Sequence, residues 1–316
     1  MVKAFLCTII VYSSFVSQAM AKDIITFVVP YAAGGGIDLR SRQLADQVSE
    51  ILQKKIVIEN KPGAGGTIGT SFIARARPDG LTIGAANFAP LVINPNLMTN
   101  INYNPVKDLT PIILIEKAPL VLLVRNDSSF YTLSDIVEVA RKNPGTLTFA
   151  SSGVGGTHHL SGALLNHYAN IHMTHIPYTS SVNAQIDLLN GTTSMMFQQL
   201  YSAAHYIQSG QLRPIAVTSR QRLKAMPTVP TVAELGYPKI IVYNWMGVTA
   251  PRGTSAAIIQ QYNKAFNMAL KNLQTQTSIQ SQGYELVGGT PDEFEKFLNY
   301  ESQRWKKILD FLSIDL

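Results

Sequence analysis

Three segments of this chain share one layout, in which a short apolar stretch runs into a glycine-rich loop and then into a helical pattern. The loops are residues 30–38, 63–67 and 151–157. Short β-branched runs that alternate with amphipathic helical patterns are typical of βαβ units around a largely parallel sheet. The sequence therefore predicts an α/β protein whose glycine loops follow the ends of strands.

The glycine loops also indicate a chemistry. Each would point unpaired backbone N–H groups and the positive end of a helix dipole at one edge of the sheet, and glycine lets a ligand approach the backbone closely. For any single loop, a tight turn that needs positive φ is the better explanation. Three loops at equivalent places favour a binding site for an anion.

The first 21 residues have the pattern of a cleavable export signal, with Lys3, an apolar stretch over residues 4–16 and an A-x-A site at 19–21. The mature chain is expected to begin at Lys22. Cys7 is the only cysteine and lies inside this signal, so disulfides, thiolate catalysis and cysteine-ligated metal are excluded for the mature protein. No second apolar stretch reaches the ~20 residues of a membrane-spanning helix, and we expect an exported, soluble protein.

A length of 316 residues favours two domains over one. Two similar α/β halves have an extended run at each junction, near residues 120–124 and 240–250. This arrangement predicts two lobes joined by two crossing strands, with a ligand cleft between them. Lobe 1 is predicted to comprise residues 22–121 plus 251–316, and lobe 2 residues 122–250.

Composition excludes several classes of protein. With 46% apolar and 15% charged residues, against a usual ~25% charged, the chain is neither disordered, collagenous nor a coiled coil. Lys and Arg total 26 against 20 Asp and Glu, but basic residues are adjacent only at 54–55, 141–142 and 306–307. No long basic run is interleaved with aromatic residues, so nucleic acid is not an expected partner.

The sequence gives little support for a cofactor site, a metal site or catalytic activity. Gly63-x-Gly65 lacks the third glycine of a dinucleotide site, and no Walker lysine follows a glycine loop. All six histidines lie between His158 and His205, but without an H-E-x-x-H pair, so neither a metal nor a cofactor is expected. A small-molecule hydrolase stays open as the alternative, although G-x-S-x-G is absent. The export signal argues against the effector domain of a transcription regulator.

Five motifs together resemble one family. They are P-Y-A-A-G-G-G-I-D at 30–38, N-K-P-G-A-G-G at 60–66, A-S-S-G-V-G-G-T-H-H-L at 150–160, H-I-P-Y at 175–178 and M-P-T-V-P-T-V-A-E-L-G at 226–236. In this order the motifs resemble the Bug-type receptors of tripartite tricarboxylate transporters. The resemblance implies a type II periplasmic-binding-protein fold. It also implies a monomeric receptor without catalytic activity, which captures a small organic carboxylate and delivers it to a two-component membrane permease.

The resemblance also implies where the ligand binds. Backbone amides and ordered water on residues 31–38 and 63–67 would hold the carboxylate, and the second lobe would supply selectivity. Where the family usually ends a second-lobe strand with an acidic residue, this chain has Gln198, and Ser194 stands four positions earlier. This departure leaves the class of carboxylate open. The candidate ligand-binding residues are Tyr31, Gly34, Gly35, Gly36, Asp38, Gly65, Gly66, Thr67, Asn87, Ser151, Ser152, Thr157, His158 and Gln198.

Overall fold

A computed structural model describes residues 24–312 as a mixed α/β protein whose ten strands form one curled sheet. The strands are β1 (Ile25–Val29), β2 (Ile56–Asn60), β3 (Thr82–Asn87), β4 (Leu109–Arg125), β5 (Thr148–Ser151), β6 (Thr174–Pro177), β7 (Met195–Gln199), β8 (Leu212–Val217), β9 (Tyr243–Pro251) and β10 (Glu285–Gly288). The helices are α1 (Gly36–Leu52), α2 (Thr67–Arg75), α3 (Asn94–Leu97), α4 (Pro105–Asp108), α5 (Leu133–Lys142), α6 (Thr157–Ala169), α7 (Ser181–Leu189), α8 (Leu200–Gln208), α9 (Ala256–Leu270), α10 (Leu273–Ser281) and α11 (Pro291–Leu312). The α/β prediction is confirmed.

The predicted export signal and the start at Lys22 lie outside the described residues. Within residues 24–312, none of the helices combines the length and the apolar character that crossing a bilayer requires.

Strand β4 connects the two halves of the sheet. Its residues 109–119 pair antiparallel with β9, which lies beside β3 in the parallel β2-β1-β3 group. Its following residues, Leu120 to Leu123, pair with β7, which lies beside the parallel β5-β6 pair. The chain therefore enters the second half of the sheet along β4 and returns to the first half along β9.

β4 is much longer than the predicted run over residues 120–124. The residues before that run, 94–111, are rich in asparagine and proline, and their composition predicts a long irregular connection; the structure instead places α3, α4 and the start of β4 there. The asparagines and prolines of this connection are helix-start signals. Asn104 caps α4 by accepting hydrogen bonds from the backbone N–H groups of Val106 and Lys107, and Pro105 occupies the first helical position. β4 begins directly after α4, at Leu109.

The two faces of β4 and β9 are used differently, because successive strand residues point to opposite sides of a sheet. Glu116 on β4 pairs with Met246 on β9, and both line a cavity. The neighbouring Trp245 packs edge-on against Phe294 and Phe297 of α11. Helix α11 therefore covers one side of the crossing strands and leaves the other side as the wall of the cavity.

Candidate functional site

The candidate site is a cavity of about 240 Å³, which we call the cleft cavity. The N-terminus of α1, the N-terminus of α8 and one face of β4 and β9 contribute to its wall. It is lined by Tyr31, Gly35, Gly36, Ile37, Asn87, Glu116, Ala118, Gln199, Tyr201, Asn244, Trp245, Met246 and Tyr284. Four of the predicted residues are in this set: Tyr31, Gly35, Gly36 and Asn87.

The first glycine loop presents a helix N-terminus to the cavity. Gly35 is the N-cap of α1 in an extended conformation, with φ −75° and ψ 165°, and no side chain caps the helix there. The first backbone N–H groups of a helix have no partner within it, and they carry its partial positive charge. Because Gly35, Gly36 and Ile37 line the cavity, this end of α1 can accept an anion.

Asp38 holds this loop in place from behind. Its Oδ2 accepts hydrogen bonds from the Gly34 backbone N–H at 2.8 Å and from Arg42 Nε at 2.9 Å, and its Oδ1 accepts one from Asn60 Nδ2 at 2.8 Å. Burial opposes ionisation of this carboxyl, but the hydrogen bonds outweigh it and lower the pKa of Asp38. Gly34 and Asp38 therefore bond to each other, and neither is among the residues that line the cavity.

A chain of hydrogen bonds leads from Tyr31 to the floor of the cavity. The Tyr31 hydroxyl donates to Asn87 Oδ1 at 2.9 Å, and Asn87 Nδ2 donates to Asn244 Oδ1 at 3.1 Å and to the Trp245 carbonyl at 2.8 Å. Burial raises the pKa of Tyr31 far above its usual range, so the phenol stays neutral. Since the Asn244 oxygen accepts, its NH₂ group is the donor that remains for the cavity.

The second glycine loop packs behind Tyr31. Gly65 and Gly66 have φ values of +62° and +90°, which explains both glycines by backbone conformation. A Cβ at Gly66 would lie 3.1 Å from the Tyr31 hydroxyl. Gly65, Gly66 and Thr67 do not line the cleft cavity, and their ligand contacts stay a prediction.

The third glycine loop is engaged in its own hydrogen bonds. Ser151 is fully buried, and its Oγ donates to the Gly153 carbonyl and lies 2.6 Å from His175 Nε2. A hydroxyl that already donates must accept from the ring, so His175 is not placed to take the serine proton. Within residues 24–312 no carboxylate hydrogen bonds to His175, and the hydrolase alternative finds no triad here.

His158 connects this loop to the cavity. Its Nδ1 lies 2.8 Å from Ser152 Oγ, and its Nε2 lies 2.9 Å from Gln199 Oε1. Burial lowers the pKa of His158, so the neutral ring accepts from the serine and donates to the amide oxygen. The NH₂ group of Gln199 is thereby left as a donor. Ser151, Ser152, Thr157 and His158 themselves do not line the cavity.

Gln198 and Gln199 show the effect of one residue of strand register. Gln198 Nε2 donates to Gln185 Oε1 at 3.1 Å, and its Oε1 accepts from the Gln199 backbone N–H at 3.0 Å. The adjacent residue, Gln199, lines the cavity and is the N-cap of α8. The structure thus places Gln199, and not Gln198, at the cavity wall.

Sequence reasoning missed most of the polar residues at this wall. Glu116 is the one acidic residue in the apolar run 112–124, and Asn244 lies within the apolar run 240–250. A polar residue in a buried strand was an available signal for both. Tyr201 is the second residue of α8, and Tyr284 immediately precedes β10. Neither element was predicted, so no signal placed these two residues.

Comparison with known proteins gives consistent matches over almost the whole chain. Residues 40–314 match the family described as the tripartite tricarboxylate transporter family receptor. BugT from Bordetella pertussis is 34% identical over 286 residues, which cover 90% of this chain and 88% of BugT.

Two solved structures extend the comparison to the fold. A protein of R. palustris solved with adipate is 30% identical, with a TM-score of 0.83, over 92% of this chain and 97% of that chain. MatC from Rhodopseudomonas palustris, solved with bound malate, is 29% identical, with a TM-score of 0.79, over 90% of this chain and 98% of that chain. This chain shares the two-lobe architecture of periplasmic binding proteins.

Proposed function

The chain belongs to the receptor family of the tripartite tricarboxylate transporters, and on that premise we propose that it is a periplasmic solute-binding receptor whose cleft cavity binds a small organic carboxylate. The observation that carries the proposal is the uncapped N-terminus of α1, whose residues Gly35, Gly36 and Ile37 line the cavity. A carboxylate at this position accepts hydrogen bonds from backbone N–H groups and interacts favourably with the helix dipole.

Neutral donors would complete the site. The NH₂ groups of Asn244 and Gln199 are left over after their oxygens accept bonds from Asn87 and His158. The N-terminus of α8 adds a second helix end. Adipate and malate are the compounds found with two related structures, and the cavity volume of about 240 Å³ suits ligands smaller than the drug-sized ones that occupy ~300–1,000 Å³.

The two lobes would close on this ligand. Tyr201 of α8 approaches α1 so closely that a Cβ at Gly36 would lie 3.1 Å from its hydroxyl, which supports a contact across the cleft. We propose residues 22–121 plus 251–316 as lobe 1 and residues 122–250 as lobe 2. The passage of β4 from β9 to β7 after residue 119 supports the first boundary.

The remaining parts of the proposal concern export, oligomeric state and delivery of the ligand. The chain would be exported, cleaved before Lys22, act as a monomer and deliver its ligand to the membrane permease subunits of a tripartite transporter. It would bind without turnover, because Ser151 is buried and bonded as described above. The intact mass of protein recovered from the periplasm tests the export step; a product that retains Met1 would contradict it.

Binding is tested by calorimetry on the chain from Lys22, unfolded and refolded to remove retained ligand. Adipate, malate, citrate and benzoate are titrated in turn, with the neutral diamide of adipate as the control. We expect at least one carboxylate to bind and the diamide not to bind, because the helix N-termini favour an anion. Absence of binding by every carboxylate would overturn the proposed function.

A further inference from the structure

Glu116 is an unexpected residue at the wall of a carboxylate site. It lies on β4 with only 4% of its surface exposed, and it lines the cleft cavity. None of the other residues at the wall is a lysine, an arginine, a histidine or a second acid. Burial raises the pKa of Glu116 to about 7, although the adjacent Arg40 favours the charged form, so the side chain is mostly ionised in slightly alkaline solution. In that form it would repel a ligand that presented a carboxylate to it.

A buried arginine lies against this carboxylate. Arg40 on α1 is equally buried, and its Nε lies 2.9 Å from Glu116 Oε2. The rest of the guanidinium is occupied, because Nη1 donates to Gln43 Oε1 and to Ser278 Oγ, and Nη2 donates to Gln282 Oε1 at 3.0 Å. Arg40 is therefore committed to the protein and is not available to a ligand.

The pair is incomplete as a set of hydrogen bonds. Despite their 2.9 Å separation, Arg40 Nε and Glu116 Oε2 are not aligned as donor and acceptor, and neither has a hydrogen-bond partner within residues 24–312. Glu116 Oε1 also has no hydrogen-bond partner there, yet it is not a fully buried atom. A buried carboxylate with spare acceptor capacity gains most from an added O–H or N–H donor.

We propose that Glu116, fixed by Arg40, selects carboxylate ligands that carry a hydrogen-bond donor, a hydroxyl or an ammonium, over ligands that lack one. This inference rests on the proposed function of the same cavity. The amides of α1 would hold the ligand carboxylate, and the donor substituent would face Glu116. In a cavity of about 240 Å³ both contacts are made by one small molecule.

The test compares ligands that differ only in the donor. Calorimetry at pH 8, where Glu116 is mostly ionised, measures the affinities of succinate, malate and aspartate, then of glutarate, 2-hydroxyglutarate and glutamate, then of adipate and 2-aminoadipate. At the chain length that binds most tightly, we expect the substituted acid to bind roughly 10- to 100-fold more tightly than the unsubstituted one. The malate and aspartate arms distinguish a hydroxyl from an ammonium. Equal or weaker binding of every substituted acid would overturn the inference and leave the proposed function standing.

Substitution of Glu116 tests the cause. E116Q should reduce the ratio of substituted to unsubstituted affinity at least about tenfold, while the unsubstituted acid binds as well or better because repulsion is removed. E285Q is the matched control, because Glu285 is a partly buried carboxyl on the adjacent β10 that does not line the cavity. The ratio of substituted to unsubstituted affinity should be the same in E285Q as in the wild type. If E116Q unfolds because Arg40 loses its partner, the double variant R40Q/E116Q removes both charges, and the same loss of ratio is expected. An unchanged ratio in a folded variant overturns the inference, and failure of every carboxylate to bind the wild type overturns the proposed function itself.

Discussion

Replacing Asp38 with asparagine should destabilise the protein through the first glycine loop. The Asp38 carboxylate accepts three hydrogen bonds with its two oxygens, from Gly34, Arg42 and Asn60. Asparagine keeps one oxygen and places an NH₂ group where the other oxygen stood. This NH₂ group then faces a group that also donates, such as the Asn60 amide. Asn60 cannot turn over to compensate without losing the bond that it donates to the Tyr31 carbonyl at 3.0 Å.

The magnitude follows from these contacts. The side chain of Asp38 is 1% exposed, so the NH₂ group that asparagine introduces is buried without an acceptor and costs roughly 1–3 kcal/mol. The bonds that survive lose the charge of their acceptor and become about half as strong. Together these effects predict a loss of about 2–4 kcal/mol in the free energy of unfolding. The exposed Arg42 is left out of this sum, since solvent screens it.

Urea unfolding followed by circular dichroism at pH 7 measures this loss. With a urea m-value of about 3 kcal/mol/M, the unfolding midpoint should fall by about 1 M. D127N is the control, because Asp127 is an exposed carboxylate. The unfolding midpoint of D127N should equal that of the wild type. An unchanged midpoint for D38N would refute the argument that Asp38 pins the loop.

The pH dependence adds a second test of the same reasoning. The pKa of Asp38 is lowered in the folded protein, so its contribution is fully present above the unfolded pKa of about 3.9 and is lost as pH falls through the folded pKa. The stability difference between wild type and D38N should therefore be constant from neutral pH to about pH 5 and should shrink in more acidic solution. A difference that grew on acidification would contradict this sign.

Two further pairs of variants separate cavity residues from their neighbours. Gly36→Ala puts a Cβ 3.1 Å from the Tyr201 hydroxyl and should weaken carboxylate binding several-fold. Gly156→Ala, at an N-cap glycine outside the cavity wall, meets a carbonyl at 3.7 Å and should bind normally. Calorimetry on both variants decides, and equal affinities would contradict the contact with Tyr201. Gln199→Leu removes a donor from the cavity wall and should lower affinity about tenfold. Gln198→Leu should instead cost about 1–3 kcal/mol of stability by leaving its buried partners unpaired, with affinity retained; a Gln198 variant that lost affinity while Gln199→Leu kept it would reverse the assignment.

The parts of the site that the sequence predicts are those built by local structure. A strand, a run of glycines and a helix follow one another within a few residues, so the presentation of Gly35 and Gly36 at the start of α1 depends on nearby residues only. The same holds for Asn104 and Pro105, which were available as helix-start signals although the connection was predicted to be irregular. Local signals identify where a helix begins but not what its end faces.

The parts that the sequence does not predict depend on pairing over long distances. Whether Gln198 or Gln199 reaches the cavity depends on the register of β7 against β4, and a shift of one residue exchanges the two faces. Glu116 and Arg40 lie on different elements, and no spacing rule connects them. His158 is expected at the ligand because it follows a glycine loop. The structure shows it bonded to Gln199 and outside the cavity wall, and its contact with a ligand stays a prediction.

A common arrangement links these residues. Four polar groups that the cavity offers are each oriented by a second group: Asn244 by Asn87, Gln199 by His158, Glu116 by Arg40, and the α1 N-terminus by Asp38. The oxygen of each amide is already bonded, so the amide cannot turn over without breaking that bond, and its donor direction is fixed before a ligand arrives. Fixing the donors in advance removes the ordering cost from binding. A site of this kind discriminates by the positions of donors and acceptors on the ligand, more than by its net charge, which is why a single buried acid can stand at the wall of a cavity for anions.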